Sequence, residues 1–255
     1  MTIPCGSATD HPIIIPMPKF QDLSEFAAAI APVIGAANVN VHASAARAVA
    51  DLARTSGVTP GLLSDLRFTL PLRPLTRAGL AVIDRYGTAA SREHDLREHL
   101  RQRTLSEDGD GTLRLTGKGL EFVHRLYDVH AATAGRIWAA HDLRGLAELA
   151  AKVLESAGRL PGGALELVAP PYEPEGAEPG LLLFNRLAVV RYHRADAHAA
   201  AWRAAGLSAA EIVGLPDGPL RARIEAETNR RAAEPYRSLS DAERDTLYDG
   251  LLKLV

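Results

Sequence analysis

The chain has 255 residues, 47% apolar and 24% charged, which is enough to bury a sizeable core and too apolar for a disordered chain. A formal charge of −2 excludes any global attraction to nucleic acid or anionic membrane, so either partner would need a local basic patch. The single cysteine, Cys5, excludes an internal disulfide and a cysteine-rich zinc site, and fits a cytoplasmic protein.

Residues 1–21 read as a loose arm. The apolar run Ile13 to Ile15 has no preceding Lys or Arg and is interrupted by prolines at 4, 12, 16 and 18, so neither a signal peptide nor a membrane span is expected. Beyond the arm, abundant Ala, Leu and Arg with 5% aromatics favour helix over sheet. Asp22 and Glu25 form a capping-box pattern that starts a helix ending near Gly35, and a second helix fits 43–56, stopping at Gly57. Thr59 and Pro60 open a short helix through Arg67. Phe68 to Leu75, with two prolines, is predicted extended, and Arg67, Arg73 and Arg77 around it suit the wall of a carboxylate pocket.

Thr76 caps a helix from Arg77 to Tyr86, and a charged helix runs from Ser91 to about Arg103. A short strand, a turn at residues 107–111 and a strand from Thr112 to Thr116 then make a β-hairpin, with Gly109 and Gly111 supplying positive φ. From Gly117 a long helix reaches about Ala140. Its apolar seam of Leu120, Val123, Tyr127, His130, Ala134, Ile137 and His141 predicts a homodimer. Asp142 caps a helix to Gly158, and residues 159–180, with five prolines, read as a linker or a long loop between two halves. Helices follow over Leu181 to Ala205, Ser208 to Val213, Leu220 to Ala233 and Ser240 to Leu254. The chain thus divides into an arm (1–21), a helical domain (22–158), a Pro/Gly/Glu-rich linker or loop (159–180) and a C-terminal helical domain (181–255).

The densest polar chemistry lies in RYHRADAH, Arg191 to His198, inside an Ala/Leu-rich helix. Asn185, Arg186, Tyr192, His193, Asp196 and Arg203 share about a third of its circumference. That stripe fits two readings, a solvated helix face or a pocket. In the pocket, Asp196 orients His193 as the catalytic acid/base, and Arg186, Tyr192, Arg73 and His198 bind an anionic substrate. No metal is expected, because His193 and Asp196 are only two ligands and His198 projects elsewhere. No dinucleotide, P-loop, zincin or hydrolase-elbow motif occurs, so no cofactor is expected.

Two resemblances bear on the fold. The segments LTRAGLAVID (Leu75–Asp84) and DGTLRLTGKGL (Asp110–Leu120) resemble the second helix and the wing of MarR-type winged-helix proteins. This implies a mainly α fold: a winged-helix (MarR-like) core with a short β-hairpin wing, long packing helices and a C-terminal helical half. It also implies DNA contacts from the helix before the wing, where Arg92, Arg97 and Arg101 lie. Two departures weigh against DNA. Residues 87–103 have room for one helix where that family places two, and the wing tip carries Glu107, Asp108 and Asp110 where phosphate needs cations. The segments RYHRADAHAAAWRAAGL (Arg191–Leu207) and IEAETNRRAAEPY (Ile224–Tyr236) resemble the end of an actinobacterial helix-turn-helix-labelled family with an H-R-x-D-x-H core. That likeness implies a fold and a lineage and names no reaction. The expectation is an enzyme of specialised metabolism, such as antibiotic biosynthesis. It would carry out cofactor-independent condensation or cyclisation, of the Pictet-Spengler kind, on an anionic or amino-acid-like substrate. The alternative is a MarR-like, ligand-responsive DNA-binding regulator.

Overall fold

The computed structural model describes residues 19–255, so the arm predicted for 1–21 lies outside the described residues up to residue 18. Helix α1 (Leu23–Ser56) is a single unbroken element. The Asp22 side chain accepts the Glu25 amide at 2.9 Å, and Gly57, left-handed at φ 60°, ends the helix by donating to the Ala53 carbonyl. The break expected at Gly35 does not occur. Phe26, Ile30, Ile34, Ala37, Val41 and Ala45 form one buried stripe through it and past Pro32. Burying several large side chains at about 1.5–3 kcal/mol each outweighs about 1 kcal/mol for the glycine and about 3 for the proline. By length and composition α1 could cross a membrane, but its apolar stripe is core of this fold.

After α2 (Gly61–Leu66), residues 68–73 coil into tight turns instead of extending. Leu70 donates to the Leu66 carbonyl at 3.0 Å and Arg73 to Thr69 at 3.1 Å. Burial of Phe68 and Leu70 forces this backbone to satisfy itself locally, and Pro71 has no N–H to place. Strand β1 (Leu75–Thr76) leads into α3 (Arg77–Ile83), where the Thr76 hydroxyl accepts the Gly79 amide at 3.0 Å. The chain turns after Ile83, short of the expected Tyr86. Helix α4 (Ala89–Arg101), capped by Thr88, precedes the hairpin β2 (Leu105–Glu107) and β3 (Thr112–Leu115). The three strands form an antiparallel sheet in the order β1-β3-β2, with Leu75 opposite Leu113 and Leu105 opposite Leu115. Only Gly111 of the two turn glycines has positive φ, at 80°. The four-residue connection, 108–111, needs one left-handed residue, at its last position.

Helix α5 (Gly117–Ile137) buries Val123, Tyr127, His130 and Ala134 completely, while Leu120 is exposed and His141 falls beyond the helix end. That face is covered inside the chain by α1 and by α8 (Pro179–Ala204), which removes the seam as a ground for a homodimer. Helix α6 (Leu143–Ser156) starts at Asp142, as expected from its cap. The stretch 159–180 is mostly irregular, as a long loop would be, but it is packed into the core. It contains helix α7 (Ala164–Val168), whose Ala164, Leu165 and Val168 are fully buried, and Tyr172 donates its amide to the Phe68 carbonyl at 2.7 Å. The prolines shape a packed segment, and one apolar core runs from Phe26 to Leu254 through both halves. A smaller cluster of Ala199, Trp202, Ile212 and Ile224 joins α8 to α9 (Ala209–Val213) and α10 (Pro219–Ala232). A 3₁₀ turn (Glu234–Ser238) and α11 (Asp241–Leu252), with its capping box at Ser240, complete the fold.

Candidate functional site

Helix α8 is packed by α6, α7, α10, α1 and α5, so its polar stretch 191–198 faces protein on several sides. Between α8, α1 and α10 lies an outer cavity of about 440 Å³. His193, Arg194 and His198 line it from α8, Glu225 and Thr228 from α10, and Tyr86 from the turn after α3. His198 Nδ1 is 2.7 Å from the Tyr86 hydroxyl, and its Nε2 is 3.7 Å from Glu225. His193 Nε2 stands 4.0 Å from Glu234. Burial lowers both histidines below their usual range, with Glu225 and Glu234 pulling the other way. Both rings therefore favour the neutral form near pH 7. Arg194 is held by Asn229 at 2.8 Å and Glu225 at 3.3 Å.

Asp196 does not orient His193. Its carboxylate accepts the amides of Ala164 and Leu165, each at 2.9 Å, and pairs with the guanidinium of Arg85. Helix α7 opens at Gly163 with no side-chain cap of its own, and its first amides are buried. Asp196 satisfies them from the neighbouring helix, where the helix dipole also favours an anion. A side chain at Gly163 would collide with Asp196, since its Cβ would lie 2.7 Å from Oδ2.

The other expected substrate ligands are similarly occupied. Arg186 grips Glu173 in a two-pronged pair (2.7 and 2.9 Å) and donates to the Ala147 carbonyl. Arg73 binds the carbonyls of Ala169 at 2.9 Å and Pro170 at 2.7 Å, just past the end of α7. Tyr192 packs edge-on against Phe68, 5.8 Å between ring centres, and burial pushes its hydroxyl up to about 12. It lines a second, inner cavity of about 290 Å³ that shares Tyr86, Arg191 and Ala195 with the outer one. Of the arginines on α4, Arg92 ties down the carbonyls of Asp84 and Gly87, while Arg97 and Arg101 are exposed beside Glu93 and Glu98 of their own helix.

The structure thus brings His193 and His198 to one cavity and Tyr192 to its neighbour, and commits Asp196, Arg186 and Arg73 to holding the segment around α7. No family model, curated protein or solved structure matches this chain. The two resemblances rest on their quoted motifs alone. Tyr86 and Glu225, the partners of His198, carry no sequence signal, because they come from elements 112 and 27 residues away whose approach depends on packing. Among the described residues, no group of three His, Cys, Asp or Glu is placed to hold a metal ion.

Proposed function

We propose that this chain is a small-molecule-handling protein of the cytoplasm whose ligand occupies the outer cavity, and that it performs proton-transfer chemistry there. The observation that carries this reading is the Tyr86–His198–Glu225 series on the wall of a cavity of about 440 Å³. With Nδ1 on the Tyr86 hydroxyl, neutral His198 can take up a proton that Tyr86 passes from a ligand and return it by the same path, with Glu225 near its other nitrogen. His193, in the same cavity, is a second acceptor, and Arg191 and Arg194 favour a ligand with anionic character. Condensation or cyclisation of an amino-acid-like substrate fits these groups.

Native mass spectrometry of the purified full chain tests the reading, followed by titration of any retained molecule into His198→Gln and His193→Gln. Retention of a molecule whose turnover falls at least about 100-fold in His198→Gln, with melting unchanged, supports it. Normal turnover in both variants overturns it.

A MarR-like regulator is the second reading, favoured by the helix, hairpin and three-stranded sheet of residues 75–115. Against it, Glu107 and Asp108 at the wing tip are paired with Arg77 and Arg114, and Arg92 is spent on backbone carbonyls. A salt-sensitive, sequence-specific complex with the protein's own upstream DNA, tighter than about micromolar, would promote the regulator over the enzyme.

A further inference from the structure

The inner cavity contains a buried charge to which no carboxylate hydrogen-bonds among the described residues. Arg67 is 2% exposed, and its guanidinium carbon lies 4.6 Å from the ring centre of Phe184 and 5.2 Å from that of Phe68. Nη1 donates to the Ser64 carbonyl at 2.6 Å, whereas Nε and Nη2 have no hydrogen-bond partner among the described residues. Asn38 of α1, 1% exposed, lines the same cavity with both Nδ2 and Oδ1 unpartnered. A desolvated guanidinium with free N–H groups is strongly unfavourable, and aromatic faces offset only part of that cost. His42, also on the wall, is held down to about 4 by burial and by Arg67 and Arg191, so it adds no cation to those two arginines near neutral pH. Asp65 of α2 lines the cavity as well and its charge favours the guanidinium, without a hydrogen bond to it.

The identity of the free atoms narrows the ligand. Nε and Nη2 form one edge of the guanidinium, the edge that receives both oxygens of a carboxylate side by side. Arg186 of this same protein uses that edge, through Nε and Nη2, to hold both oxygens of Glu173. We propose that the inner cavity is a binding site for a small organic carboxylate, its two oxygens on Nε and Nη2 of Arg67. Asn38 supplies a further donor and acceptor in the same cavity. The acceptor suits a ligand with a hydroxyl or amino group near its carboxylate. The site rests on inner-cavity residues only, so it and the proton-transfer role of the outer cavity can fail independently.

Calorimetric titration of the full chain with acetate, lactate and benzoate, each against its neutral amide, tests the proposal. Saturable binding of at least one carboxylate is expected, with none by its amide. Arg67→Lys keeps the charge but loses the paired edge, and Asn38→Asp sets a second carboxylate in the cavity. Each should weaken binding about tenfold or more. If Arg67→Lys does not fold, the near-isosteric Asn38→Asp carries the comparison. No saturable binding of any of the three acids up to about 10 mM, or binding unchanged in a folded variant, overturns the site.

Discussion

Replacing Asp196 with Ala removes a buried anion that holds three donors at once. The amides of Ala164 and Leu165 lose acceptors at 2.9 Å, and Arg85, with a side chain 8% exposed, loses its countercharge. Breaking one side of a buried ion pair costs about 3–5 kcal/mol. For a chain of this size that lowers Tm by roughly 10 °C. Asp196→Asn keeps one acceptor oxygen but turns an NH₂ toward donors, so about 2–3 kcal/mol is expected. Removing Arg85 as well, in Asp196→Ala with Arg85→Met, eliminates the orphaned cation, and the double variant should fall short of the sum of the singles by about 1–3 kcal/mol. Urea denaturation followed by the fluorescence of buried Trp138 and Trp202 gives all four values. Asp196→Ala within about 0.5 kcal/mol of the parent would refute the capping role and return Asp196 to the list of ligand-contact residues.

Acid should destabilise the fold well before carboxylates titrate. His42 and His130 are held neutral, at about 4 and about 2, by burial and by Arg67, whereas the unfolded chain takes up both protons below 6.5. Stability is therefore full above pH 6.5 and falls as pH drops, by up to about 2.7 kcal/mol per pH unit for the two together until His42 protonates near pH 4. Denaturation midpoints that do not move between pH 7 and pH 5 would contradict this assignment. Gly163→Ala places a Cβ 2.7 Å from Asp196 Oδ2 and 2.9 Å from the Leu160 carbonyl. A loss of about 1–3 kcal/mol is expected from such overpacking, and a neutral thermal melt would show that α7 can move away from α8.

Local signals in the sequence determine much of this protein. The caps at Asp22, Thr76 and Asp142 start helices where their side chains predict, and helices begin after Ser208 and Ser240 as expected, because each of these side chains acts on the amide three residues on. The hairpin at 105–115 is legible for the same reason, and the polar run 191–198 does line a cavity. The errors share a cause. Gly35, the prolines of 68–75 and those of 159–180 are local breakers, and burial against distant elements overrode or absorbed them. The roles within the site were decided the same way. His193, Asp196 and Arg186 share a helix face in sequence, yet Asp196 reaches α7, Arg186 reaches Glu173 and His198 reaches Tyr86 and Glu225. Arg67 is one of three similar arginines in the sequence, and only the closure of Phe68 and Phe184 around it makes it a buried cation with an unpartnered edge. Periodicity and capping are properties of neighbours along the chain. The partner of a long polar side chain depends on which helices pack against it, and that is settled only when the core closes.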